Sequence, residues 1–440
     1  MVLTYTRDYA NSLTECVEHS VTHLISGVKE NGFISASRKY PWYYPHWFRD
    51  SNFVAMALLK YYGFAKDNSE FLYQKEAFDA ADRIIRFNSR NILIRIGAIG
   101  EANHKPTTDS DFYSLRFHIP ARLDENGMLC DKHFYVEGRE FSVVDCFETS
   151  WNDSWLRQFD SIPLTLLALK EEYKVSGSIP RSPSMLLGRY SNELVKYLSK
   201  IYSHKSSNAW EMDLDKKHSY DFACIYAGLK VLEYFSEKNL TNIKPEYVMD
   251  TFYKYNQKDP ISILKDTFVV NGVLTRYTNG NSSSPNPYAG VDSSEIFIFS
   301  RFTNGELGQE IEKNTIEKIL SDRFGPNQLP TRYEHDVYFT GGRWPLLALE
   351  MASYMAKKGN IAFAEEKVNY ILQNYFDSMP EQVLIAPESP GNPEGLKDIE
   401  RNNGETIKEL EWNYAEFIEA AISLMLSKSS KQELVRLKRR

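Results

Sequence analysis

Apolar residues recur at helical spacing through most of the chain, and the gaps between these stretches alternate between long and short. The pattern predicts helices at roughly 8–29, 50–66, 74–91, 160–176, 184–203, 218–236, 245–256, 292–302, 309–321, 343–358, 360–376 and 412–427. Strand-like alternation is confined mainly to 92–146, where FHIPARLDENGMLCDKHFYVEGREFSVVD carries a Glu-Asn-Gly turn suited to a small β-hairpin insertion. About a dozen helices with little sheet can stack as a solenoid, bundle irregularly or close into a double ring. A solenoid needs a fixed repeat of helix pairs, and the spacing here is uneven. The connections after the first, third, fifth, seventh, ninth and eleventh helices are long, while most of those after even-numbered helices are short. In a closed ring of antiparallel pairs, all the long connections emerge at one end. That makes one floor and one crowded mouth, and long connections in a compact domain are generally functional.

Composition narrows what the mouth can hold. A net charge of −7 over 440 residues argues against a nucleic-acid partner, which needs a surplus of Lys and Arg on one face. The basic run VRLKRR at 435–440 reads as a solvated end. No run of about 18 apolar residues occurs, so no membrane-spanning helix is expected. The first residues lack a signal-peptide pattern, and the four cysteines have no metal or redox spacing. The expectation is a cytoplasmic protein. No Gly/Ser linker or Pro-rich spacer divides the chain, so residues 1–440 are expected to be one domain. The strongest bias is aromatic, with 28 Tyr, 25 Phe and 7 Trp. Rings beside carboxylates suit sugars, which offer flat C–H faces and many hydroxyls, although rings also fill cores.

Each long connection carries a polar-aromatic cluster. They are YPWYYPHWFRD at 40–50, with Arg49-Asp50; Trp155-Leu-Arg-Gln-Phe-Asp160; Asn208-Ala-Trp210-Glu211; Val291-Asp292-Ser-Ser; Thr331-Arg332 through Asp336 to Trp344; and Met379-Pro-Glu381-Gln382. Singly, each has an ordinary explanation. Asp50, Asp160 and Asp292 precede helices and could serve as N-caps. Arg332 with Glu334 and Asp336 could be a surface ion pair of little worth. Together they place carboxylates around an aromatic pit, which acetal hydrolysis needs: one carboxylic acid protonates the leaving oxygen, and one carboxylate activates water or attacks carbon. His19 and His23 are spaced i, i+4, but no third ligand is near, so no metal is expected. No phosphate loop, nucleophile elbow or dinucleotide fingerprint occurs, so no cofactor is expected.

In these clusters the chain resembles glycoside hydrolase family 15, the glucoamylase, glucodextranase and isomaltose-hydrolase group. The matching elements are Trp47-Phe-Arg49-Asp50, Trp210-Glu211, Arg332-Tyr-Glu-His-Asp336-Val-Tyr338 with Gly342 and Trp344, and Glu381-Gln382 followed by Trp412-Asn-Tyr414-Ala-Glu-Phe417. They come in family order over roughly 40–420. The resemblance implies an all-α (α/α)6 barrel and an inverting exo-hydrolase that takes glucose from non-reducing ends of a small oligosaccharide. It implies Glu211 as general acid and Glu381 as general base. It implies that Arg49, Asp50 and Arg332 grip the terminal sugar, with Tyr43 beside the attacking water. Trp47, Trp155, Trp210 and Trp344 then belong to the aromatic walls, and Asp160 to the substrate-binding set. Many members have a second Glu after the acid; here Met212 stands there, which shifts the expectation from starch towards isomalto- or short malto-oligosaccharides. Neither a starch-binding module nor an N-terminal β-sandwich is expected. Trehalase or glucodextranase specificity, or a non-catalytic sugar binder, are the alternatives. The sequence does not fix an oligomeric state.

Overall fold

The helices divide by burial into two sets, and the division follows from their side chains. Helix α2 (Phe48–Ala65) is apolar nearly all round, and every residue from Phe48 to Leu59 is buried. A helix of this kind needs neighbours on every side. The same holds for α4 (Ser161–Ser176), α6 (Ser219–Glu237), α9 (Glu295–Phe297, continuing as a π-helical turn over Ile298–Phe302), α11 (Pro345–Lys357) and α13 (Glu411–Lys438). By contrast, α5 (Arg181–Ile201) buries a stripe with Leu187, Leu194 and Leu198 and turns charged residues outwards. It belongs to an outer set with α1 (Arg7–Gly27), α3 (Gln74–His104), α7 (Pro245–Asn256), α10 (Gln309–Asp322) and α12 (Ile361–Asn374).

A computed structural model describes residues 7–40, 43–66, 68, 71–104, 121–127, 133–136, 139–142, 158–202, 204–210, 216–278, 286, 289–324, 329–336, 338, 341–383 and 406–438. In it the inner set closes on itself: α2 packs on α4, α4 on α6, α6 on α9, α9 on α11, α11 on α13, and α13 back on α2. The outer helices lie over these, α3 on α2, α7 on α6, α12 on α11 and α1 on α13. This is the (α/α)6 double ring. Gly228 in α6 shows how tightly the ring is drawn, because a Cβ there would sit 3.0 Å from the backbone of Pro163 in α4.

The structure corrects several element boundaries. Helix α3 runs to His104 rather than ending near 91, so part of the expected strand region is helical. Two-stranded hairpins do occur, β3 (His133–Val136) with β4 (Arg139–Ser142), and β5 (Val269–Val270) with β6 (Val273–Leu274). A thirteenth helix, α8 (Pro260–Phe268), lies outside the sequence expectation. Asp259 accepts from the Ser262 amide at 2.8 Å to cap it, and Pro260 supplies its first turn. The shortest element has a positional job: β1 (His46–Trp47) pairs with β2 (Arg122–Leu123), with Trp47 opposite Arg122.

All six long connections lead into the N-terminal ends of inner helices, as the alternation of gaps predicts. At the opposite end, the last turns of the inner helices line a second cavity of about 690 Å³, rimmed by Lys60, Lys170, Lys174, Lys230 and Lys357. Arg301, which lines this second cavity, donates to Glu350 at 2.6 Å and to Glu416 at 2.6 Å. Trp412 donates its indole N–H to the other oxygen of Glu416 at 2.9 Å. Among the described residues, no helix is long and apolar enough to cross a membrane, and no group of three His, Cys, Asp or Glu is placed to hold a metal. His23 instead stacks on Tyr414 at 4.0 Å and His19 meets Phe376 at 5.5 Å, so the histidine pair is packed against rings.

Candidate active site

A pit opens at the end of the ring where the inner helices begin. Its volume is about 120 Å³. At ~10–15 Å³ for each water-sized guest, that is room for about one hexose ring. Trp47, Arg49 and Asp50 come from β1 and the first turn of α2, Trp344 from the residue before α11, and Trp412 from the first turn of α13. Trp210, Arg332, Tyr43, Tyr338 and Glu381 come from the long connections. All are buried or half-buried. The indole N–H groups of Trp47 and Trp344 are buried and meet no acceptor among the described residues, while their rings line the pit.

Glu381 sits on the pit with two phenols at its carboxylate. Tyr43 donates to Oε1 at 2.8 Å, and Tyr338 lies 3.5 Å from Oε2 and 2.5 Å from the Tyr43 hydroxyl. Burial first, and then the charge of Glu381, push the Tyr43 phenol well above its ordinary value, so it stays a donor. The turn that carries Glu381 is strained: Met379 has φ 35°, a left-handed conformation that non-glycine residues seldom adopt. Asn413 in α13 holds the turn, donating to the carbonyls of Met379 at 3.1 Å and Pro380 at 2.6 Å. The Glu381 amide bonds the Ile407 carbonyl at 2.7 Å. Across from it, Gly342 is needed, because a Cβ there would lie 2.4 Å from the Gln382 side chain.

The arginines are fixed by carboxylates and rings together. Arg332, 2% exposed, makes a two-pronged bond to Asp336 at 2.7 and 2.6 Å, and its guanidinium lies 4.8 Å from the centre of the Trp344 ring. This pair is deeply buried, unlike the surface ion pair that was its ordinary alternative. Arg49 lies between the Trp47 and Trp412 rings, at 5.8 and 5.5 Å, with Asp50 at 3.7 Å and Asp160 at 3.9 Å. Asp50 is the third residue of its helix and Trp47 holds the N-cap position, so Asp50 is no N-cap. Asp160 precedes α4 but makes no side-chain cap bond. It does not line the pit and stands behind Arg49. Beneath it, burial and then the charge of Asp160 push the Asp221 carboxyl up to about 7, against the hydrogen bond it accepts from Ser206.

The Trp210 wall is anchored from behind. Its backbone N–H donates to Asn208 at 2.7 Å, and its indole N–H to both oxygens of Asp292 at 2.9 and 3.0 Å. Asn208 itself has φ 49°, a conformation asparagine tolerates better than most residues. Trp155 and Glu211 lie outside the described residues. Three pit residues that sequence reasoning did not assign are Arg122, Tyr338 and Trp412. The motif carried Tyr338 and Trp412 without a role. Arg122 had no local signal, because it reaches the pit only through the pairing of β2 with β1, which sets its guanidinium 5.3 Å from the Trp47 ring.

No family model matches the sequence, and no curated protein matches it. Solved structures do. A wild-type glycosidase aligns with TM-score 0.69 at 18% identity, over 96% of this chain and 99% of its own. A glycosidase variant in complex with glucose aligns with TM-score 0.70 at 16% identity, over 96% of this chain and 99% of its own. A glucoamylase from Saccharomycopsis fibuligera aligns with TM-score 0.57 at 15% identity, over 95% of this chain and 96% of its own. The chain has the fold of these glycosidases and glucoamylases over nearly its whole length.

Proposed function

We propose that this protein is an inverting, exo-acting α-glucoside hydrolase that releases β-glucose from the non-reducing ends of short isomalto- or malto-oligosaccharides. One observation carries the reading: a buried carboxylate, Glu381, held by two phenols at the edge of a pit the size of one sugar ring. In this mechanism Glu381 takes a proton from water, and the water oxygen bonds to the anomeric carbon. Glu211 gives its proton to the glycosidic oxygen as the bond from that carbon breaks, so the product has the opposite anomeric configuration. Arg49, Asp50 and Arg332 bind hydroxyls of the terminal ring, and the Trp47 and Trp344 rings wall its C–H faces. Polar groups built for those hydroxyls reject sugars that leave them unpaired. The glycosidase structure that contains glucose lends support to a sugar in the pit.

The test is proton NMR of the anomeric region at early time, with isomaltose, maltose, maltotriose and trehalose in turn. β-Glucose appearing before α-glucose from one of the first three supports the reading. α-Glucose first removes the inverting mechanism. Release from trehalose alone moves the specificity to that disaccharide, and release from none moves the protein to the sugar-binding alternative.

A further inference from the structure

Asp292 was expected at the mouth of the barrel as one cluster among six, yet it does not line the pit. It is 1% exposed and faces Trp210 from behind. Its carboxylate receives the indole N–H on both oxygens, accepts from the Ser294 amide at 2.8 Å, and lies 3.3 Å from Arg276. Arg276 in turn lies flat on Tyr333, 3.4 Å from the ring centre, and the Arg332 guanidinium is 5.3 Å from the Trp210 ring on the pit side. An aromatic wall needs only apolar contact to stay in place. Burying an ion pair to grip one indole N–H costs desolvation, which a wall alone does not justify.

What distinguishes Trp210 is its neighbour. Its carbonyl is bonded directly to Glu211, and its amide is tied to Asn208 in the left-handed turn just before it. Fixing the Trp210 side chain and its amide fixes the residue to which Glu211 is covalently joined. We propose that Asp292, with Arg276 as its counter-charge, is a positioning residue for general acid catalysis, acting through Trp210 on Glu211. The inference rests on the reading of Glu211 as the acid. It predicts a defect confined to reactions that need proton donation to the leaving group. Misplacement of a catalytic group by about 1 Å costs on the order of a hundredfold in rate.

The experiment compares wild type, Asp292→Ala, Asp292→Asn and Glu211→Gln on two substrates: the disaccharide turned over best, whose leaving sugar needs a proton, and α-glucosyl fluoride, whose leaving fluoride needs little help. Asp292→Ala is expected to lower kcat on the disaccharide about a hundredfold with KM within about threefold, and to retain most of the fluoride turnover. Asp292→Asn, which keeps one acceptor for the indole, should lose about tenfold on the disaccharide. Circular dichroism identifies any misfolded variant, and Asp292→Asn then carries the comparison. Equal losses on both substrates, or none on either, overturn the positioning role. Wild-type disaccharide turnover in Glu211→Gln instead overturns the assignment of the acid, whatever Asp292 does. A wild-type protein that hydrolyses neither substrate overturns both.

Discussion

Replacing Glu381 with Gln keeps an oxygen for the Tyr43 phenol but removes the charge that accepts a proton from water. The variant should fold as wild type and lose about 10²–10⁴-fold in kcat, read from initial rates. Near-normal turnover would exclude Glu381 as the base. Asn413→Ala is the companion case. It removes the side-chain donor from the Pro380 carbonyl and leaves the Met379 carbonyl with the Leu410 amide at 3.2 Å, which should cost about 1–3 kcal/mol in a denaturant melt and lower activity as the strained turn relaxes. Unchanged stability would show that the turn is held by its other bonds. Much of this arrangement could be read locally: Trp47, Arg49, Asp50, Trp210, Arg332, Trp344 and Glu381 announce themselves as rings beside charges before helices, and the structure sets them around one pit. Arg122 and the anchoring role of Asp292 could not be read so. Each depends on a contact across about 80 positions of chain, Arg122 with Trp47 and Asp292 with Trp210, and spacing within one segment carries no trace of it.

Among the elements, β1 and the start of α2 are anchored by His46, whose ring is completely buried. Nδ1 accepts from the Ile34 amide at 3.1 Å, so Nε2 carries the proton and donates to Asn88 of α3 at 2.6 Å. Burial lowers the imidazole to about 4, with those hydrogen bonds opposing. The folded state therefore binds this proton less readily than the unfolded chain does. Its contribution is whole above about pH 6.5 and is lost as pH falls towards about 4. The stability difference between wild type and His46→Gln should change by about 3 kcal/mol across that window in paired urea titrations. A difference flat with pH would mean the ring is not neutral in the fold. Legibility differs by element as well. Residues 92–104 are rich in isoleucine at near-alternate positions, which suggests strand, but Ile92 is buried as part of α3 and packing decides the conformation. At the other extreme, α13 continues to Lys438, beyond the apolar pattern near 427, because the Lys- and Glu-containing sequence after it has good intrinsic helix propensity.

For the molecule as a whole, ring closure joins α2 to α13 across nearly the full length of sequence. Arg301→Met should strand the buried Glu350 and Glu416 and destabilise the fold by about 3–5 kcal/mol in a thermal or denaturant melt. A change below about 1 kcal/mol would mean the carboxyl groups take up protons and tolerate the loss. The blind pit has its own expectation under the proposed activity. Cyclodextrins have no chain end to insert, so they should be neither cleaved nor bound tightly, and their hydrolysis would show that the pit opens sideways. The closed ring was legible in two features together: the alternation of gaps, which sends every long connection to one end of an antiparallel array, and the uneven spacing, which argues against a solenoid. That same alternation aligns six inner helices so that all begin at the pit and all end at the second cavity. Each inner helix carries about half a positive charge at its start, on the pit side, and about half a negative charge at its finish, while the antiparallel outer helices carry the reverse around the outside. Asp50 lies in the first turn of α2 at the pit end, whereas the second cavity at the other end is rimmed by Lys60, Lys170, Lys174, Lys230 and Lys357 together with Glu171, Glu233, Glu237, Glu306 and Glu419. Asp50 sits at one of these inner starts, so the pairing of long gaps with inner helices also decides which electrical end of each inner helix faces the pit.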